Sequence, residues 1–172
     1  MESRITKISL VLTIVSGIVW LGGINIRAVI GGDLLEFGTI EFKSNLHPTV
    51  ERAIFSLIAK SSLVVVPAYL LTLLGSIIFL RTTTLRLRQH GWLMMSAILF
   101  YLFAPVEFYT FILDVKMMYL DLVSSSDLVE FRKLFIHRLA ALSGVPIIAM
   151  FCYYTIVALV VFQPMKKALP SA

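Results

Sequence analysis

Residues 62–80 read SLVVVPAYLLTLLGSIIFL, nineteen positions without one Asp, Glu, Lys or Arg, and the chain then turns basic at once with Arg81, Arg86 and Arg88. A run of this length and polarity spans the roughly 30 Å hydrocarbon core of a bilayer as a helix rising 1.5 Å per residue. Charge-free stretches of the same character recur at Ile8–Ile26, Gly91–Val106 and Leu139–Gln163. The expected fold is all-α: a four-transmembrane-helix bundle forming one domain over 1–172, with helices at about 5–30, 49–81, 88–122 and 127–164.

Composition agrees with that class. The 172 residues are 59% hydrophobic and 15% charged, and the mean hydropathy is +0.92. A soluble domain sits nearer 45–50% apolar. The net charge of +5 would suggest nucleic acid in a soluble chain, but here the basic residues cluster at segment ends, which excludes nucleic acid as the expected partner and points to topology instead. The single cysteine, Cys152, falls inside the fourth apolar stretch, so no intrachain disulfide is expected. Residues 1–7 precede about nineteen apolar positions with no small-x-small cleavage pattern, and this stretch is expected to remain as helix 1.

Arg4, Lys7, Arg81, Arg86, Arg88, Lys166 and Lys167 crowd the termini and the middle connection, where Glu2 is the one acid. The two other connections are longer and mixed, holding Asp33, Glu36, Glu41 and Glu51 with Lys43 and Arg52, then Asp114, Asp121, Asp127 and Glu130 with Lys116, Arg132 and Lys133. Basic density in short loops predicts a multi-pass inner-membrane protein with both termini cytoplasmic. Helices 2 to 4 exceed the bilayer and are expected to extend beyond the outer face. Leu35 to Phe42 alternates around Gly38-Thr39 as a small hairpin or interfacial segment would. Ser124-Ser-Ser-Asp127 reads as a turn, with Asp127 and Glu130 as a capping pair.

The candidate site is a ligand or ion cluster of Glu107, Arg27, Lys60, Asp114, His137 and Arg138. Counted from the basic ends, Arg27 and Lys60 lie about 28 to 30 Å across, and Glu107 about 22 Å, with Asp114 two turns above it. A carboxylate at that depth costs several kcal/mol unless partnered, so Glu107 is expected to pair with Arg27 or Lys60. Pro67, Pro105 and Pro146 are expected to distort helices 2, 3 and 4 and open a cavity, which Tyr101, Tyr109, Tyr153 or Tyr154 would line. His47, His90 and His137 fall at incompatible depths for bis-histidine haem. Met117-Met118 with His137 has soft donors suited to copper, but adjacent helical residues diverge by 100°, so no metal is assigned.

Val19-Trp20-Leu21-Gly22-Gly23, Leu159-Val-Val-Phe-Gln-Pro164 and His137-Arg138-Leu-Ala-Ala-Leu-Ser-Gly144 resemble segments of the four-helix bacterial membrane proteins related to CopD and the HemJ-type protoporphyrinogen oxidases. The resemblance implies a four-helix bundle. For the HemJ-like branch it further implies haem b and oxidation of a porphyrinogen or another hydrophobic substrate, although the histidine that branch carries two turns before Trp-x-Gly-Gly is Thr13 here. Two functions follow: a non-enzymatic bundle acting as a small-ligand or ion-binding, transport-related or accessory subunit, or a HemJ-like redox enzyme. The first is preferred, with the lipid bilayer and a small molecule or membrane-protein partner as its surroundings.

Overall fold

The computed structural model describes residues 3–123, 127–140 and 144–165, and all of its named elements are helices. They are α1 (Arg4–Gly32), α2 (Pro48–Thr82), α3 (Gly91–Val123), α4 (Leu128–Leu139) and α5 (Val145–Phe162). Four of the described helices, α1, α2, α3 and α5, are long and apolar enough to cross a membrane. The fifth, α4, is a 12-residue helix carrying Glu130, Arg132, Lys133, His137 and Arg138.

Local chemistry sets the helix starts. Ser3 accepts the Thr6 amide at 3.1 Å, His47 caps α2 ahead of Pro48, and the Asp127 carboxylate accepts the Glu130 amide at 3.0 Å. Each satisfies an amide that the first helical turn leaves without a partner. Pro67 and Pro105 remain inside continuous helices. Pro146 does not. The single helix expected over 127–164 is two helices, because Gly144 adopts a left-handed conformation at φ 85° and Pro146 follows in the first turn of α5. A proline there forfeits no helical hydrogen bond, whereas within a continuous helix it would. The start of α3 also falls at Gly91, after a turn closed by the Gln89 amide on the Arg86 carbonyl at 2.9 Å, so the expected start at 88 is corrected.

One end of the bundle gathers the described start of the chain, the α2–α3 connection and the end of α5. The Thr6 hydroxyl donates to the Thr82 carbonyl at 3.0 Å, and a Cβ placed on Gly91 would lie 2.9 Å from Cβ of Met165. At the opposite end stand α4 and residues 33–47. There the expected hairpin forms, with the Glu36 amide on the Glu41 carbonyl at 2.9 Å, the Lys43 amide on the Leu34 carbonyl at 3.0 Å and Gly38 at φ 77°. The Ser124–Ser126 turn lies outside the described residues.

The helix pair α1/α2 is in closest approach where glycine permits it. A Cβ on Gly75 would stand 2.6 Å from Thr13 Oγ1 and 3.2 Å from the Ser9 carbonyl, and one on Gly23 would stand 2.6 Å from Val65. Small residues serve membrane helices this way because lipid offers no competing hydrophobic drive, so contact and dispersion decide association. Apart from Trp20, the buried face of α1 is accordingly polar or small, comprising Thr6, Ser9, Ser16, Arg27 and Gly31. Its exposed face is Ile8, Val11, Val15, Ile18, Ile26 and Val29.

Two hydrophobic cores stack along the bundle. The first joins Trp20, Val65, Ala68, Tyr69, Phe111, Ala149 and Tyr153 from the four long helices. The second, at the α4 end, joins Leu34, Phe55, Ile58, Met117, Phe131 and Phe135. Two ion pairs staple this second core: Arg132 to Glu51 at 2.5 Å and Arg52 to Asp121 at 2.6 Å. The hydrogen bonds to Glu51 hold the Arg132 guanidinium above its ordinary range.

Candidate functional site

A layer of charge separates the two cores. Arg27 of α1 donates to both oxygens of Asp114 of α3, at 2.9 and 2.6 Å. From α4, Arg138 Nε donates to Asp114 Oδ1 at 2.5 Å, with Nη2 at 3.5 Å from Oδ2. The Asp114 and Arg27 side chains are 0% and 3% exposed, and Arg138 keeps 20% of its side chain open. Two-point guanidinium–carboxylate bonds are among the strongest polar contacts available to side chains, and three helices are tied through one carboxylate.

Glu107 lies one layer deeper. It is buried, and its Oε1 accepts the Tyr153 hydroxyl of α5 at 3.1 Å. Tyr153 is in turn against Trp20 of α1, with ring centroids 4.7 Å apart and nearly edge-on, and Trp20 meets Tyr69 of α2 at 4.9 Å. Trp20 precedes Arg27, and Glu107 precedes Asp114, by seven residues each. Seven residues are about two turns and 10 Å of rise, so the same faces of α1 and α3 build both layers.

The expected pairing of Glu107 with Arg27 or Lys60 is not formed. Arg27 bonds Asp114, Glu107 bonds Tyr153, and Lys60 is exposed on α2 next to buried Ile58 and Ala59. Its depth matches, but a 100° step per residue turns it away from the interior. His137 also stays out of the buried layer, bonding the Tyr109 hydroxyl through Nε2 at 2.8 Å at the exposed edge between α3 and α4. Tyr101 bonds Ser76 at 2.9 Å, and Tyr154 is exposed. Of the six candidates, the structure joins Arg27, Asp114 and Arg138 directly. Trp20 and Tyr69 belong to the deeper layer without having been among the six; its spacing of seven from Arg27 is the signal that could have found Trp20, whereas no such spacing marks Tyr69.

Haem and copper were tested against the residues. His47 Nδ1 lies 2.8 Å from Thr49 Oγ1, and His90 Nδ1 lies 3.2 Å from the Arg86 carbonyl. With His137 on Tyr109, no two of the three converge. Thr13, where the HemJ-like pattern would place histidine, is seated against Gly75 and donates to the Ser9 carbonyl at 2.7 Å, so this position offers a hydroxyl already bonded within α1 and no ring nitrogen. Met117 is buried in the second core beside Phe131 and Phe135, away from the His137–Tyr109 edge. Among the described residues no three His, Cys, Asp or Glu gather as metal ligands. The described residues fit neither haem nor a copper centre. No family model, curated protein or solved structure matches the chain.

Proposed function

We propose that this chain is a multi-pass membrane protein that binds a small anionic ligand at the Arg27–Asp114–Arg138 layer, in a transport-related or accessory role rather than as an enzyme. The observation that carries this reading is the charge count of the layer. Two guanidiniums share one carboxylate, and the surplus cation, Arg138, is the member that retains exposed surface. A desolvated guanidinium beside a low-dielectric wall attracts an anion far more strongly than one in water, and its planar fork suits carboxylate and phosphate oxygens. Glu107 does not cancel the surplus by direct contact, because its hydrogen bond goes to Tyr153.

The bundle is proposed to lie in a bacterial inner membrane with both termini cytoplasmic, a reading supported by the lysine and arginine density of the terminal end. Its α4 end, with the overhanging parts of α2 and α3, then stands on the outer face, since α2 alone has 35 residues and reaches about 52 Å. Kinship with the CopD and HemJ-like proteins is proposed for the bundle only, and is supported by the place of Trp20 and Gly23 where α1 meets its neighbours.

Thermal unfolding of the protein in neutral detergent, against a panel of carboxylates, inorganic phosphate and phosphate-bearing amphiphiles, tests the reading. At least one class should raise the midpoint for the native chain and fail to do so for Arg138→Gln. No stabilisation by any member of the panel would remove anion binding as the function.

A further inference from the structure

Among the described residues, the Arg138 layer is closed along the bundle axis on both sides. Toward the α4 end the charge layer is roofed by the second core, where Leu34, Phe55, Phe131 and Met117 are 0% exposed. The Phe135 ring is so close to α1 that a Cβ on Gly31 would meet it at 2.9 Å. Toward the other end, the layer rests on Trp20, Tyr69, Phe111 and Tyr153 of the first core. The exposed part of Arg138 therefore opens sideways, where Tyr109 and His137 bond each other across α3 and α4 at 2.8 Å.

That side opening sits at the edge of the membrane. The spanning helix α5 begins at Val145 and has 18 residues, about 27 Å of rise, so Val145 and the adjoining α4 terminus mark one boundary of the hydrocarbon. Below Tyr109, α3 presents Pro105, Leu102 and Ile98 as exposed positions, and above it Lys116 is exposed as well. The spacings of three, four and seven keep all of these on one helical face. The face is apolar below Tyr109, and above it carries one basic side chain, Lys116, with Ile112 exposed between the two. An acyl chain below and an acidic head above match that order.

Resting on the anion-binding reading, we infer that the ligand is a bilayer phospholipid with a net-negative phosphate headgroup, which slides in laterally and places its phosphate beside Arg138, His137, Tyr109 and Lys116. A basic recess between membrane helices at headgroup depth is a recognised chemistry for acidic lipids. The nearby acids are already engaged: Asp114 is bonded to both arginines, Glu107 accepts the Tyr153 hydroxyl in the deeper layer, and Glu130 lies 3.9 Å from Lys133 on the solvent side of α4.

The test uses the full chain in phosphatidylcholine bilayers with or without phosphatidylglycerol, followed by transfer to neutral detergent and a count of retained lipid by native mass spectrometry. Phosphatidylglycerol should be retained in preference to phosphatidylcholine. Two exposed substitutions, His137→Glu and Lys116→Glu, should weaken that retention on the order of tenfold each; neither touches a core, so both should fold. Inorganic phosphate in detergent provides the control. Stabilisation by free phosphate equal to that by phosphatidylglycerol would overturn the lipid assignment while leaving the anion site intact. Equal retention of the two lipids, or acidic-lipid retention indifferent to both substitutions, would also overturn it.

Discussion

Arg27 and Asp114 form a two-point bond between α1 and α3 at 2.9 and 2.6 Å, with both side chains all but removed from solvent. Arg138 from α4 shares the same carboxylate. This is the point at which α1, α3 and the short helix α4 are joined, so changes here test what holds the three helices together.

Asp114→Asn should be the most destabilising polar substitution in the chain. It leaves the buried Arg27 guanidinium, with the partly exposed Arg138 beside it, without its bonded counter-charge, at a cost of ~3–5 kcal/mol, whereas Arg27→Met combined with Asp114→Leu should recover a large part of that loss. Unfolding in detergent, followed by circular dichroism, reads both. Equal stability of Asp114→Asn and the native chain would show that the triad does not hold the helices together.

Glu107 should behave differently. Its hydrogen bond to Tyr153 survives in Glu107→Gln through the amide oxygen, while Tyr153→Phe removes the donor and should cost about 1 kcal/mol. A double-mutant cycle should show coupling between Glu107 and Tyr153, and additivity within about 0.5 kcal/mol between Glu107 and Lys60. Strong coupling to Lys60 would contradict the arrangement of α2.

The two glycines of α1 and α2 that allow close approach predict a steric pattern. Gly75→Ala must displace the Thr13 hydroxyl and approaches the Ser9 backbone, contacts of 2.6 and 3.2 Å, and should cost about 1–3 kcal/mol. Gly22→Ala meets nothing within 4 Å and should stay within about 0.5 kcal/mol of the native chain. Thermal midpoints of the two variants, compared side by side, decide it.

Orientation is open to chemical labelling. A cysteine at Gly38, where the hairpin turns, should react with a membrane-impermeant maleimide added outside intact cells, in a background where Cys152 is replaced by Ala. A cysteine at Arg86 should react only after the membrane is opened. The reverse pattern would invert the bundle and place the Arg138 opening in the cytoplasmic leaflet.

The spanning helices were legible in the chain itself because a segment in hydrocarbon must satisfy its own backbone, which makes apolar length and helix nearly the same statement. Short-range chemistry was legible for the same reason: the Asp127–Glu130 cap and the hairpin around Gly38 involve residues a few positions apart. Depth could also be counted, since rise per residue is constant, and it put Arg27, Lys60, Glu107 and Asp114 near one another along the membrane normal. Direction around each helix axis was not available from counting. The close seating of α1 on α2 through Gly23 and Gly75 turns Arg27 inward and leaves Lys60 outside, and the break at Gly144 separates α5 from α4, and it is Arg138 of α4 that meets Asp114. Asp114 rather than Glu107 took both arginines because partner choice depends on azimuth and side-chain reach across several helices, quantities that exist only once the helices are packed.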